Sequence, residues 1–362
     1  MLPSRLSALR ALLVARKLPA MLVSGAANRR YLSGFSGSNG ALFITPSDAI
    51  LFTDGRYTIQ AGREAPDFTL REISYPDRTL PDLVAEAVSA FGLSLLAFEA
   101  AHMSVASHFG IARACFDTGV ELEPVEGLVE SLREVKDANE LVALRRAAAI
   151  TDAAIMAVIP QLQPEQTERQ AAWMLEVALR ERGAEALSFP IIVAAGPNSA
   201  LPHASPGDEP LGTGRAIIID MGAVVAGYHA DLTRTICLGE PDTRFHEIYR
   251  TVLNAQQRVL DQLRPGLRCN ATDTLAREQI AAAGYGDAFS HGLGHGVGLD
   301  IHEGPSLRRS GSGQAESGPR LDAGNVVTVE PGIYLEGWGG VRIEDLVLIN
   351  EAGCEVLSTA NK

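Results

Sequence analysis

The chain has few cysteines for its 362 residues: Cys115, Cys237, Cys269 and Cys354 are far apart and form no metal-spaced pair. That excludes a disulfide framework and a thiolate zinc site, and it fits reduced thiols in a cytoplasmic protein. Basic residues are also in deficit, with 31 Lys and Arg against 44 Asp and Glu and a net charge of −13. Such a chain has no cationic excess with which to displace counterions from nucleic acid or to hold an anionic membrane. No apolar run reaches the roughly 18 residues needed to cross a bilayer, and no tandem repeat of constant period is present. The remainder, 46% hydrophobic and 21% charged, is ordinary globular composition. The length suits two domains rather than one.

At the amino end, Arg5, Arg10, Arg16 and Lys17 precede the first acid, Asp48. That is a feature of organellar transit peptides. However, Leu2, Leu6, Leu9 and Leu13 form a helical stripe and Ala20 to Val23 then reads as a buried strand, so the segment is read as the opening of a folded domain. Residues 1–128 alternate helical and strand patterns, with strands at Ala41–Ile44, Ala49–Phe52 and Ser94–Phe98, and imply a layered α/β domain. A charged stretch over 128–138 is read as a linker, and residues 137–362 as the second domain. Helices are expected over Asn139–Ile159, from the capping box Thr167-Glu168-Arg169-Gln170 onward, and over Phe245–Leu263 and Thr272–Ala283. Strands are expected at Ile191–Val193, Ala216–Asp220, around Tyr228, at Val326–Glu330 and as one run from Val341 to Leu348. Their segregation from the helices makes the fold class α+β. Ser306 to Arg320 is Gly/Ser-rich and reads as a mobile loop.

Asp220, Asp231, His295, Glu330 and Glu344 each occupy a segment of strong local character. Asp220 ends an isoleucine run, and Glu330 ends Val326-Val327-Thr328-Val329 before Pro331-Gly332. Any one of them is an unremarkable polar residue at a strand end. Four carboxylates and an imidazole carried together on apolar stretches are not, because buried carboxylates must be paired or coordinate metal. Four negative charges within a few Å cannot all stay ionised unaided, and two divalent cations would balance them. Oxygen donors with one imidazole suit Mn²⁺ or Co²⁺ before a thiolate-loving ion. On strand periodicity His229, Asp231 and Thr233 share one face, as do Arg342, Glu344 and Leu346. A hairpin turning between Val225 and Ala226 would set Asp220 directly opposite Asp231.

Ile219-Asp220-Met221-Gly222, Ala230-Asp231-Leu232-Thr233-Arg234-Thr235, His291-Gly292-Leu293-Gly294-His295, Val329-Glu330-Pro331-Gly332-Ile333-Tyr334 and Val341-Arg342-Ile343-Glu344-Asp345 resemble the aminopeptidase P/prolidase family. Tyr31 to Ser38 and Thr53 to Tyr57 resemble that family's creatinase-like amino-terminal domain. The resemblance covers nearly the whole chain. It implies a pita-bread metallopeptidase domain behind a smaller α/β domain, two divalent ions (Mn²⁺ first, Co²⁺ or Zn²⁺ as alternatives), and hydrolysis after a first residue that is followed by proline. It further implies that Asp220 chelates one ion, that Asp231 and Glu344 bridge both, and that His295 and Glu330 bind the other. Glu330 would also shuttle a proton, and His203, His302 and His291 would assist at the substrate carbonyl. Phe189 and Ile192 would wall the proline pocket, Tyr334 would line the site, and Arg342 would support a metal carboxylate. Small peptides with proline second are the implied partners, with a homodimer as the assembly.

One departure concerns substrate length. Prolidases of archaeal and human type carry an arginine four residues after the position of His302, to hold a dipeptide's carboxylate; here that position is Ser306, with Arg308 and Arg309 following. A methionine-aminopeptidase-like enzyme is less consistent with the amino-terminal domain. Creatinase-like or non-catalytic peptide-binding relatives lose ligands that this chain keeps, and a two-metal phosphoesterase would need a phosphate cradle that the sequence does not show.

Overall fold

The computed structural model describes residues 2–309 and 318–362. It divides into two compact units, Met1–Arg133 and Glu134–Lys362.

The first unit opens with a helix, Leu2–Ala15, which buries Leu6, Leu9 and Leu13. Strands β1 (Met21–Val23), β2 (Ala41–Ile44), β3 (Ala49–Asp54), β4 (Thr69–Ile73), β5 (Leu95–Glu99) and β6 (Glu121–Val125) form a mixed sheet in the order β4-β3-β2-β1-β5-β6. The stretch expected as a linker contains a helix, Leu128–Arg133. Leu128 and Val129 are buried, an apolar pair too short to stand out among the surrounding charges.

In the second unit, two helix pairs each cover antiparallel sheet. Helices Ala138–Val158 and Glu168–Glu181, the latter capped by the Thr167/Gln170 box, pack on one set of strands. These are β7 (Ala186–Leu187), β8 (Ile192–Ala195), β9 (Ile217–Met221), β10 (Ala223–Val225), β11 (Tyr228–His229) and β12 (Leu232–Ile236). Helices Thr243–Leu260 and Cys269–Ala282 pack on a second set. That set comprises β13 (Gly294–Gly296), β14 (Glu303–Leu307), β15 (Val326–Val329), β16 (Gly332–Leu335), β17 (Gly339–Arg342), β18 (Asp345–Asn350) and β19 (Gly353–Val356). The sheet orders are β12-β9-β8 and β14-β13-β15-β18-β19, with β16 paired to β17.

Alternation along the strands decides what each sheet presents on its two faces. Ile217, Ile219 and Met221 enter the core with the helices, so Asp220 faces the other way, directly across the ladder from Ile192. Val327 and Val329 enter the second core, leaving Thr328 on the opposite face.

Three expectations change. The hairpin turns at Ala226-Gly227, both with positive φ (49° and 79°), one residue later than expected. Asp220 therefore pairs with Thr233, and Asp231 lies one step diagonal on the same face. Asp231 itself sits between β11 and β12, not within a continuous strand. The run Val341–Leu348 is likewise broken: β17 ends at Arg342 and β18 begins at Asp345, leaving Glu344 in the gap where the chain passes from one sheet to the other. Of the Gly/Ser-rich loop expected over 306–320, residues 310–317 lie outside the described residues, and Ser306 and Leu307 end β14.

Candidate metal centre

The second unit contains a cavity of about 500 Å³. Its wall includes Asp220, Asp231, His295, Glu330 and Glu344. Strand β9 supplies Asp220 and β13 supplies His295, whereas Asp231, Glu330 and Glu344 stand in breaks beside β12, β15 and β17. At two of these breaks the backbone stays tied across, Glu330 N to Leu293 O at 2.9 Å and Glu344 N to Thr233 O at 3.1 Å.

Asp220, Asp231 and Glu344 are buried, and each offers a carboxylate oxygen within 4.8 Å of the others. Burial first, and then the charges of Glu344, Asp220 and Glu330, hold the Asp231 carboxyl well above its ordinary range. Glu344 is raised for the same reasons, by burial, Glu330 and Asp220. Burial also raises Glu330, although His291 and Arg342 oppose the rise. Like-charged groups in a shared low-dielectric site must take up protons or a cation.

The imidazole adds a donor that suits a cation. His295 Nδ1 donates to Gly296 O at 3.0 Å, so Nε2 carries the lone pair. That nitrogen lies 3.6 Å from Asp231 Oδ2 and 3.4 Å from Glu330 Oε1. Burial pushes the His295 pKa down, so the ring is neutral and a lone pair faces two carboxylates. Asp220 Oδ1 is buried with no hydrogen-bond partner among the described residues. An orphaned oxygen, an unprotonated nitrogen and three crowded acids form a donor set that fits a divalent cation.

Neighbouring side chains fix these groups. Arg342 Nη2 donates to Asp220 Oδ2 at 2.7 Å, its Nη1 to Tyr334 OH at 2.9 Å and its Nε to Thr233 Oγ1 at 3.0 Å. Thr233 Oγ1 in turn donates to Glu344 Oε2 at 2.7 Å. Thr328 Oγ1 donates to Glu330 Oε1 and accepts from His295 N, both at 3.0 Å. Neither Thr233 nor Thr328 was among the candidate site residues; the signal lay in their spacing, each two residues from a candidate ligand.

His203, His291 and His302 all line the cavity. His302 packs edge-on against His295, with ring centroids 4.3 Å apart. Burial, with His295 and His203 nearby, lowers the His302 pKa. His291 is lowered by burial, and its Nε2 lies 2.9 Å from Tyr334 OH. Tyr334 thus stands behind His291 and Arg342, with burial pushing its pKa up to about 12. Phe189 and Ile192 line the apolar part of the cavity, and Ser306 and Arg308 line another part of its wall. Another unforeseen support is Asp273, which accepts from Leu293 N at 3.1 Å and pairs with Arg277, whose Nη2 donates to His291 O at 2.7 Å.

A creatinase-like unit followed by a pita-bread catalytic unit with a buried acid/imidazole cavity defines a metallopeptidase. Residues 142–351 match metallopeptidase family M24, and residues 5–135 match the creatinase/prolidase N-terminal domain. The chain belongs to family M24, in the group of the prolidases and aminopeptidases P. An Xaa-Pro dipeptidase of Pyrococcus furiosus is 40% identical over 242 residues, 67% of this chain and 68% of that relative. Among solved structures, an Xaa-Pro dipeptidase from Bacillus anthracis superposes with a TM-score of 0.94 at 36% identity, covering 100% of this chain and 99% of the other. An X-Pro aminopeptidase from Thermotoga maritima gives 0.86 at 36% identity, covering 94% and 96%. No described helix is long and apolar enough to cross a membrane.

Proposed function

We propose that the protein is a dinuclear-metal peptidase that hydrolyses the bond between an N-terminal residue and a following proline, with Mn²⁺ the preferred ion. The observation that carries this reading is the convergence of Asp220, Asp231 and Glu344 within 4.8 Å in a buried site that leaves Asp220 Oδ1 without a hydrogen-bond partner among the described residues. The names of the relatives support the specificity, since the P. furiosus and B. anthracis proteins are Xaa-Pro dipeptidases and the T. maritima protein is an X-Pro aminopeptidase.

In this reading, Asp220, Asp231, His295, Glu330 and Glu344 hold two divalent ions, which supply Lewis acidity and an activated water. Glu330 would take a proton from the attacking water and pass it to the proline nitrogen as the C–N bond breaks. His203 and His302 donate to the carbonyl oxygen as its negative charge develops. The lowered pKa of His302 keeps it a neutral donor near pH 7. The proline ring rests against Phe189 and Ile192, two of the apolar residues of the cavity wall. Arg308, on the same wall and without a carboxylate partner among the described residues, takes the free carboxylate of a dipeptide in the absence of an arginine at Ser306.

The test is hydrolysis by protein stripped with chelator and reloaded separately with Mn²⁺, Co²⁺ or Zn²⁺. Released alanine is followed from Ala-Pro, Ala-Pro-Ala and Ala-Ala-Ala. Metal-dependent cleavage of the proline peptides is expected, with Ala-Pro preferred. Equal cleavage of Ala-Ala-Ala would remove the proline pocket, and no cleavage with any ion would remove the peptidase reading.

A further inference from the structure

Gln256 is fully buried on the helix Thr243–Leu260, away from the cavity wall. Its amide nitrogen donates to two backbone carbonyls, Val329 O and Ile343 O, each at 3.1 Å. Val329 immediately precedes Glu330, and Ile343 immediately precedes Glu344. A single –NH₂ group therefore ties together the peptide units that carry two of the candidate ligands.

The location makes the tie consequential. Glu330 follows the last residue of β15, and Glu344 stands between β17 and β18. Strands β15 and β17 belong to different sheets, and the ladder between β15 and β18 runs only as far as Val329 and Asp345. The carbonyl of Val329, in that last pair, and the carbonyl of Ile343, beyond it, both accept from Gln256. The amide orientation is set by chemistry: turned over, its oxygen would face two carbonyl oxygens. The Gln256 oxygen is buried without a hydrogen-bond partner among the described residues. Forgoing that bond is costly, so the residue's contribution lies on the nitrogen side.

We infer that Gln256 is a positioning residue for the metal centre. It sets the separation of Glu330 and Glu344 from behind, so that both carboxylates enter the cavity in register for a shared pair of ions. The inference rests on the reading of these acids as metal ligands.

Gln256→Met keeps the length and bulk of the side chain and removes both donors. Its metal affinity would be measured calorimetrically on chelator-stripped protein titrated with Mn²⁺, alongside the visible spectrum of the Co²⁺-loaded form. Loss of an outer support of this kind typically costs about 10–100-fold in metal affinity, and a changed Co²⁺ spectrum is expected with it. Val252→Ala is the control. Val252 lies one turn earlier on the same helix and is buried in the same core, so its substitution lowers thermal stability without touching either carbonyl. It should leave the isotherm and spectrum at wild-type values. Gln256→Glu, whose buried acid retains one donor when protonated, should fall between wild type and Gln256→Met. Wild-type metal affinity and spectrum in both Gln256 variants would overturn the inference, as would an equal loss in Val252→Ala. Failure of the wild-type protein itself to bind Mn²⁺ would instead defeat the metal-centre reading on which the inference stands.

Discussion

Arg342 illustrates how much of this site depends on one side chain. Its planar fork reaches Asp220, Tyr334 and Thr233 at once, and through Thr233 it is linked to Glu344. A lysine would keep the charge but present a single ammonium on a flexible stem, which cannot hold three partners in one plane. Arg342→Lys is therefore expected to weaken metal affinity by about 10–100-fold while leaving the fold intact. Calorimetry together with a circular dichroism melt checks both halves of the statement. Arg308 is the opposite case, exposed at the cavity and without a carboxylate partner among the described residues. Arg308→Ala should raise KM for Ala-Pro on the order of ten-fold, the scale of one hydrogen bond to a charged group. The kcat for Ala-Pro should hold, and Ala-Pro-Ala should be affected less. Equal losses on both peptides in steady-state assays would show that Arg308 does not read the substrate's carboxylate.

At the scale of elements, the site is made by strands that approach too closely for side chains between them. A Cβ on Gly294 would lie 2.1 Å from Thr328 O and 2.7 Å from Thr328 Oγ1. The neighbouring His295 and Glu330 both depend on that threonine. Gly294→Ala is expected to destabilise by about 1–3 kcal/mol through overpacking and to lower metal occupancy as well. Gly62→Ala, on a helix with nothing within 4 Å of the added Cβ, should be neutral or slightly stabilising. Melting curves of the two variants, with bound metal measured after desalting, separate the local effect from a general one. The same strands show what could be read from the sequence. Apolar runs ending in an acid, Ile217-Ile218-Ile219-Asp220 and Val326-Val327-Thr328-Val329-Glu330, signal a buried strand and a polar end, whereas His295 in its glycine-rich motif stood out through the family resemblance. The registers were not legible. The turn at Ala226-Gly227 needs a positive φ at an alanine, which composition disfavours, and the slip of one residue moved Asp220 from Asp231 to Thr233. The break at Ile343–Glu344 was hidden because buried apolar residues continue on both sides of it, Val341 and Ile343 before and Leu346 to Leu348 after. Gln256, Asp273 and Arg277 gave no local sign, since their roles depend on carbonyls and amides brought near only by the tertiary fold.

For the whole molecule, the excess of negative charge and the buried acids meet in the coupling between metal loading and pH. The net charge is −13, and part of it is gathered in the cavity. Burial and mutual repulsion raise the carboxyl groups of Asp231, Glu344 and Glu330, so the metal-free site binds protons more tightly than ordinary carboxylates do. Those protons must leave before the oxygens can bind an ion. His295 contributes in the other direction: burial lowers its pKa, so the ring binds as the neutral form and has no proton to release above its ordinary titration range. The sign follows from these two facts. A group whose folded pKa is raised binds a proton more tightly than metal-free solution chemistry would suggest, and a falling pH strengthens that competition. The apparent affinity for Mn²⁺ should therefore rise with pH until the three acids ionise unaided, and binding near neutral pH should release protons to the buffer. Titration of Mn²⁺ into chelator-stripped protein, repeated in buffers of different ionisation enthalpy, reads that release directly. A heat of binding that changes with the buffer in proportion to its ionisation enthalpy is the expected result, and Glu344→Gln should reduce the dependence. A heat independent of buffer would mean that the acids are already ionised in the metal-free protein. Their charges would then have to be balanced by some other cation. At a fixed Mn²⁺ concentration the stabilisation grows as the dissociation constant falls, to about 4 kcal/mol at a thousand times that constant, so the gap in melting temperature between loaded and metal-free protein should widen as pH rises.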